Sequence, residues 1–185
     1  DSPMAVDVTE VFLRHPDLFD EEMRGLMRSG RSPFSFPGLS MVRSSAQSKT
    51  LNHLKGTAVI IAGSGMCTGG RIKHHLVANI GRPESTVLFV GYQAEGTLGR
   101  EILSGAEQVR IHGQYHRVRA RVERITGFSA HADREELARW LVPQRQPPRG
   151  LFVTHGEPKE SEALAGSLRA RAGWQVSVPE YGEQV

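Results

Sequence analysis

Two histidines stand where a chain usually displays chemistry. His131 lies in Gly127-Phe128-Ser129-Ala130-His131-Ala132-Asp133, and His155 in Thr154-His155-Gly156-Glu157-Pro158. An imidazole can carry a proton near neutral pH or bind zinc through one ring nitrogen. Each motif follows an apolar, extended run and precedes a helical pattern, so both imidazoles are expected on strand-to-helix turns. The two turns are expected at the ends of neighbouring strands, on the edge where open α/β sheets carry ligands. Zinc takes three or four ligands, and neither H-E-x-x-H nor H-x-H-x-D-H occurs in the 185 residues. Spacing alone leaves two readings: part of a metal centre completed elsewhere, or a pair of structural histidines.

Two other stretches have the composition of anion sites. The loop Gly63-Ser64-Gly65-Met66-Cys67-Thr68-Gly69-Gly70 joins a predicted strand to a helix start, where backbone N–H groups and the helix dipole favour a phosphate. It lacks the Gly-Lys-Ser/Thr ending of a Walker loop and the G-x-G-x-x-G fingerprint, so a plain tight turn is the competing reading. Arg110, Arg117, Arg119, Arg121 and Arg124 make the most basic run in the chain, either a solvated strand face or a phosphate-contacting one. His74 and His75, adjacent on a helix, diverge by about 100° and are expected to be surface or packing residues. His112 and His116 bracket a predicted turn.

The elements that must position these residues follow from periodicity. Pro3 with Met4, Val8, Val11 and Phe12 predicts a first helix to about His15, and Asp20 to Gly30 a second. Ser44 to Leu54 is a third, more polar candidate. Residues 57–62 (TAVIIA) and Thr86 to Val90 are continuous apolar runs, as expected of strands buried on both faces of a parallel sheet. A helix with Ile72, Leu76, Val77 and Ile80 on one side lies between them, giving a βαβα unit once the helix through Ile102 is added. Val118, Ala120 and Val122 alternate with Arg117, Arg119 and Arg121, predicting one strand with a row of guanidinium groups on one face. Asp133 with Glu136 reads as a capping box opening a helix through Leu137, Trp140 and Leu141. A proline-rich link, the strand into His155, a helix from about Lys159 to Arg171 and a strand from Gln175 to Val178 complete the chain.

Composition sets outer bounds: 38% hydrophobic, 23% charged, and no apolar run near the ~18 residues of a membrane span. One cysteine, Cys67, excludes an internal disulfide and a cysteine zinc site and is compatible with a reducing, cytoplasmic setting. A net charge of +3 with clustered arginines permits an anionic partner. The start at Asp1-Ser2-Pro3-Met4, already the entry to a helix, suggests a piece of a longer protein.

Four motifs then carry a likeness. Ser64-Gly65-Met66, Gly91-Tyr92-Gln93-Ala94-Glu95-Gly96-Thr97-Leu98, Phe128-Ser129-Ala130-His131-Ala132-Asp133 and Thr154-His155-Gly156-Glu157-Pro158 resemble, in order and separation, the β-CASP branch of the metallo-β-lactamase superfamily. More narrowly they look like bacterial and archaeal relatives of the endonuclease subunit of the eukaryotic pre-mRNA cleavage and polyadenylation machinery. The likeness runs through essentially the whole chain, Asp1-Ser2-Pro3-Met4-Ala5 included. It implies an α/β fold in two parts. Residues 1–105 would be the later part of a β-CASP cap, with a parallel sheet flanked by helices. Residues 106–185 would be the C-terminal part of a metallo-β-lactamase αββα sandwich, its RNA-metabolising segment.

The resemblance also implies roles. His131 matches the second β-CASP motif, a histidine near the scissile phosphate that protonates the leaving oxygen, and His155 the third, a ligand of one of two zinc ions. The ions polarise the phosphate and supply hydroxide. Ser64, Gly65, Met66, Thr68, Gly69 and Gly70, with Arg117, Arg119 and Arg121, are expected to hold RNA phosphates. The implied activity is zinc-dependent hydrolysis of single-stranded RNA, endonucleolytic with exonuclease activity also open, without a membrane. The family's H-x-H-x-D-H cluster, its other ligands and its first β-CASP motif would lie upstream of Asp1. This chain alone is therefore expected to bind no stable zinc pair and to cleave nothing, its partner being the missing N-terminal half; a homodimer is compatible. The rivals are a non-catalytic nucleic-acid-binding or assembly module and a DNA-directed β-CASP nuclease.

Overall fold

Helix α1, Pro3–Leu13, begins where the sequence says it should: Ser2 caps it by accepting the Ala5 N–H, and Pro3 occupies the first turn, where its missing donor costs nothing. Asp20 likewise accepts from the Met23 N–H and opens α2, Glu21–Arg28. A capping box between Ser44 and Gln47 opens the short α3, Ser45–Thr50, which continues into a 3₁₀ turn, Leu51–His53. The computed structural model describes every residue except Ser129, Ala130, Val142, Gln144, Arg145 and Val185. Two residues of the His131 motif and part of the proline-rich link therefore lie outside the described residues.

The chain packs as two units, Asp1–Ile125 and Thr126–Val185. In the first, α4, Ile72–Asn79, and α5, Leu98–Leu103, flank strand β1, Thr86–Val90, and a hairpin of β2, Gln108–Ile111, with β3, Gln114–Arg117. β1 pairs in parallel with β4, Arg121–Ile125, in the register Thr86↔Arg121 to Val90↔Ile125. The core gathers one face of each element: Cys67, Leu76, Ile80, Phe89, Ile102, Val109 and Ile111. In the second unit, α6, Arg134–Leu141, and α7, Pro158–Ala172, cover a two-stranded parallel sheet of β5, Leu151–Phe152, and β6, Val176–Ser177. Ala138, Ala165, Leu168 and Val176 form its core, and Gly173 ends α7 in a left-handed conformation.

Four expectations are corrected. Residues 57–62 form no ladder among the described residues, and Val59 and Ile61 are 86% and 77% exposed, so this run is not buried on two faces. β1 itself buries Phe89 but leaves Leu88 and Val90 half exposed. Second, the arginine run is not one strand. After Arg117 the chain leaves the hairpin: the Val118 N–H bonds to the Glu107 carbonyl, the Arg119 and Ala120 N–H groups to the Ile80 carbonyl, and only at Arg121 does β4 begin. Third, β4 pairs with β1 and β5 with β6, so the strands preceding the two histidines share no ladder among the described residues. Fourth, Trp140 is 70% exposed and Ala138, two residues earlier, takes the buried position on α6. In the described residues, no helix is long and apolar enough to cross a membrane.

Candidate active site

His155 sits three residues beyond the end of β5, in a turn whose shape is imposed by its neighbours. Its φ of 65° is the left-handed region, which a residue with a Cβ adopts at a cost of about 1–3 kcal/mol unless the surroundings hold it there. Gly156 is part of that hold. A Cβ at this position would lie 2.2 Å from Ser161 Oγ, so a side chain here would force that hydroxyl to move. Ser161 is buried, and its N–H bonds to the Glu157 carbonyl across the first turn of the helix. Pro158 at the first helical position closes the device. The result is an exposed imidazole on the wall of a groove of about 930 Å³, bounded by this turn, Ser161 and Glu162 of α7, and Val178 to Gly182.

His131 is also exposed, immediately ahead of α6. Asp133 does what a cap does: its Oδ1 accepts the Glu136 N–H at 2.8 Å, while Glu136 Oε2 accepts the Asp133 N–H at 2.9 Å. Arg171 forks onto both oxygens of Glu135 at 2.5 and 2.7 Å, joining α7 to α6 just behind the turn. That guanidinium draws the Glu135 carboxyl below its ordinary pKa.

The glycine-rich loop, residues 63–70, packs against the Gly91 to Thr97 motif. Ala94 N–H approaches Met66 Sδ at 3.1 Å, and the Gly99 N–H bonds to the Met66 carbonyl at 2.9 Å. At Gly99 a Cβ would stand 2.8 Å from the Gly65 carbonyl oxygen, which fixes glycine there. Arg100 holds the second motif from below, donating to the Gln93 carbonyl at 2.6 Å and lying over the Tyr92 ring. Met66 and Gly65 thus face protein through their sulfur and carbonyl groups, Thr68 is exposed, Gly69 is half-buried, and Gly70 is exposed at the entry to α4. Ser64 Oγ and both amide atoms of Gln93 are buried without a hydrogen-bond partner in the described residues. Cys67 is 2% exposed and burial raises its thiol to about 11, which keeps it a neutral thiol away from solvent.

The two adjacent histidines separate as expected. His75 is buried, with Nε2 2.7 Å from the Asp1 carboxylate, and His74 is exposed and stacked on His112. Of the arginines, Arg117 and Arg119 line one groove of about 640 Å³ with Glu107, Gln108 and Val118, whereas Arg121 stands on β4 opposite Thr86. Spacing missed Ser161, Gly99 and Arg100 because each acts through a contact that only the fold creates.

Nowhere among the described residues do three His, Cys, Asp or Glu side chains converge as a metal would require. The groove is lined by one imidazole, His155, and by the carboxylates of Glu162 and Glu180, which do not converge with it as the three or four donors of a zinc ion would. These residues therefore do not make a zinc centre by themselves.

Residues 1–102 match the Beta-Casp domain family, and residues 115–179 match the Zn-dependent metallo-hydrolase RNA specificity domain. The chain is 42% identical over 185 residues to Ribonuclease TTHA0252 of Thermus thermophilus, covering all of this chain and 42% of that protein. It is 31% identical over 190 residues to Transcription termination factor FttA of Pyrococcus abyssi, covering 97% of this chain and 29% of the relative. The factor of the same name from Methanocaldococcus jannaschii is 30% identical over 182 residues, covering 95% of this chain and 29% of the relative. The chain thus spans less than half the length of these relatives. With one domain family matched over more than half of its residues and the second over most of the rest, this chain belongs to the β-CASP family of the metallo-β-lactamase superfamily.

Proposed function

We propose that this chain is the C-terminal portion of a zinc-dependent ribonuclease that hydrolyses RNA phosphodiester bonds, residues 1–105 belonging to its cap and 106–185 to its hydrolase domain. The observation that carries the reading is His155, held in a left-handed backbone on the wall of an open groove, inside a motif of a family whose second domain is described as a zinc-dependent metallo-hydrolase. An exposed imidazole in a conformation that costs energy is the pattern of a functional position. His155 supplies one nitrogen donor, and the remaining donors come from chain outside this sequence. Zinc there would supply positive charge to the phosphate and a nucleophile from water. His131 delivers a proton to the leaving oxygen, and the α6 cap fixes the backbone on which it stands. The isolated chain is inactive, works in the cytoplasm only as part of the whole enzyme, and takes single-stranded RNA as its substrate.

The full-length enzyme carrying His155→Ala is expected to lose zinc by elemental analysis together with cleavage of a single-stranded RNA. His131→Ala is expected to keep its zinc and lose roughly 10²- to 10⁴-fold in kcat. If His155→Ala retained full zinc and activity, or if the isolated chain cut RNA, the proposal would fail.

A second reading, RNA binding without cleavage, is favoured by one observation. Arg110, Arg117 and Arg119 are exposed and enter no ion pair among the described residues, unlike Arg43, Arg71, Arg82 and Arg171.

A further inference from the structure

The β2–β3 hairpin has an inner and an outer face. Val109 and Ile111 are fully buried, so the alternate residues of β2, Gln108 and Arg110, point outward. The register sets Gln108 opposite Arg117 and Arg110 opposite Tyr115. Arg110, Tyr115 and Arg117 consequently share one outer face, with directly opposed Cβ atoms about 5 Å apart. Tyr115 is 70% exposed, so hydrophobic burial does not explain an aromatic ring there. The two guanidinium groups beside it meet no carboxylate within ion-pair distance in the described residues. Among the described residues Arg110 donates through Nε to the Gly113 carbonyl at 3.3 Å, within its own hairpin. Glu107 is the one acidic residue of the adjoining groove, against Arg117 and Arg119.

The hairpin is also stiff. His112 and Gly113 both have positive φ, 49° and 83°, the pattern of a two-residue turn whose twist matches the strands. The His112 ring stacks on His74 of α4 at a centroid distance of 4.8 Å, which ties the turn to a helix. A rigid ring flanked by guanidinium groups has one obvious complement: an unpaired base to stack on the ring, with phosphates on either side to meet the charges. A duplex keeps its bases stacked and offers none.

We propose that Arg110, Tyr115 and Arg117 form a binding surface for single-stranded RNA, Tyr115 stacking one base and the arginines neutralising neighbouring phosphates. The choice of RNA rests on the function proposed above; the binding itself needs neither zinc nor cleavage.

The test is fluorescence anisotropy of a labelled oligouridine titrated with the 185-residue chain in EDTA, at several salt concentrations. Tyr115→Ala is expected to weaken binding roughly 5- to 100-fold and Tyr115→Phe to keep it. Arg110→Gln and Arg117→Gln are each expected to weaken binding and lower the salt slope by about one. Arg139→Gln, on α6, is expected to change nothing, and thermal melts followed by circular dichroism report that every variant is folded. Equal binding by wild type and Tyr115→Ala, no binding by wild type, or equal competition by a duplex would each overturn the proposal. Because no step of the assay involves catalysis, failure here leaves the His155 zinc experiment standing, and failure there leaves this one standing.

Discussion

A methyl group at position 156 would meet Ser161 Oγ at 2.2 Å, far inside any real contact, and Ser161 is buried at the start of α7. Gly156→Ala is therefore expected to destabilise the second unit by about 1–3 kcal/mol, the usual range for overpacking. The hydroxyl is the clashing atom, since Ser161 Cβ lies 3.5 Å away at ordinary contact distance. Adding Ser161→Ala should therefore restore most of the loss, and chemical denaturation of the two single variants and the double measures that coupling directly. Single residues were legible in the sequence where their signal is local. Asp133 and Glu136 form the capping box that their spacing predicts, and His75 packs inward as one of two divergent neighbours should. Trp140 misled because helical spacing names a stripe but not which member of it is buried, and on α6 that member is Ala138. The pairing of Gly156 with Ser161 left no trace in the pattern of residues, since it depends on how closely a turn approaches a helix.

Elements are tied together by polar groups as well as by the core. The fully buried Asp1 carboxylate accepts from Ser48 of α3 at 2.5 Å and from Arg71, which precedes α4, at 2.5 Å, and lies 2.7 Å from His75 Nε2. Arg71 reaches on to the carbonyls of Val42 and Arg43. Burial, and then neighbouring positive charge, lowers the pKa of His75, so the folded protein holds it neutral where the unfolded chain would already bind a proton. The sign follows: as pH falls through the unfolded value of about 6.5, the unfolded state takes up more protons and stability declines. The melting temperature is thus expected to drop between pH 7.5 and pH 5.5, roughly one unit either side of that value. His75→Gln should flatten the drop, and an unchanged slope in that variant would rule His75 out as the cause. Helices were the readable elements, because caps and prolines mark their ends; α1, α2 and α7 begin within a residue or two of their expected starts. Strands were less readable. An alternating run from Arg117 to Arg121 satisfies the period of one strand, yet hydrogen bonds to Glu107 and Ile80 split it between a hairpin and a sheet. Alternation reports which side a residue faces and says nothing about which neighbour its backbone joins.

On the scale of the molecule, the family was legible because its motifs are several and ordered, while of the candidate site only the local turns and caps could be read from spacing. The expected division near residue 105 follows motif content, whereas packing groups residues through Ile125 with the first unit, because β4 completes its ladder on β1. One run went furthest from expectation: residues 57–62, read as a doubly covered strand, with Val59 and Ile61 turned outward and backbone groups outside any ladder among the described residues. Such a run is a template for another strand. Two copies meeting there collide at a rate that grows as the square of concentration. The fraction of this chain recovered soluble from refolding should accordingly fall as the protein is made more concentrated, and Val59→Lys with Ile61→Lys should blunt that fall, read by light scattering across a dilution series.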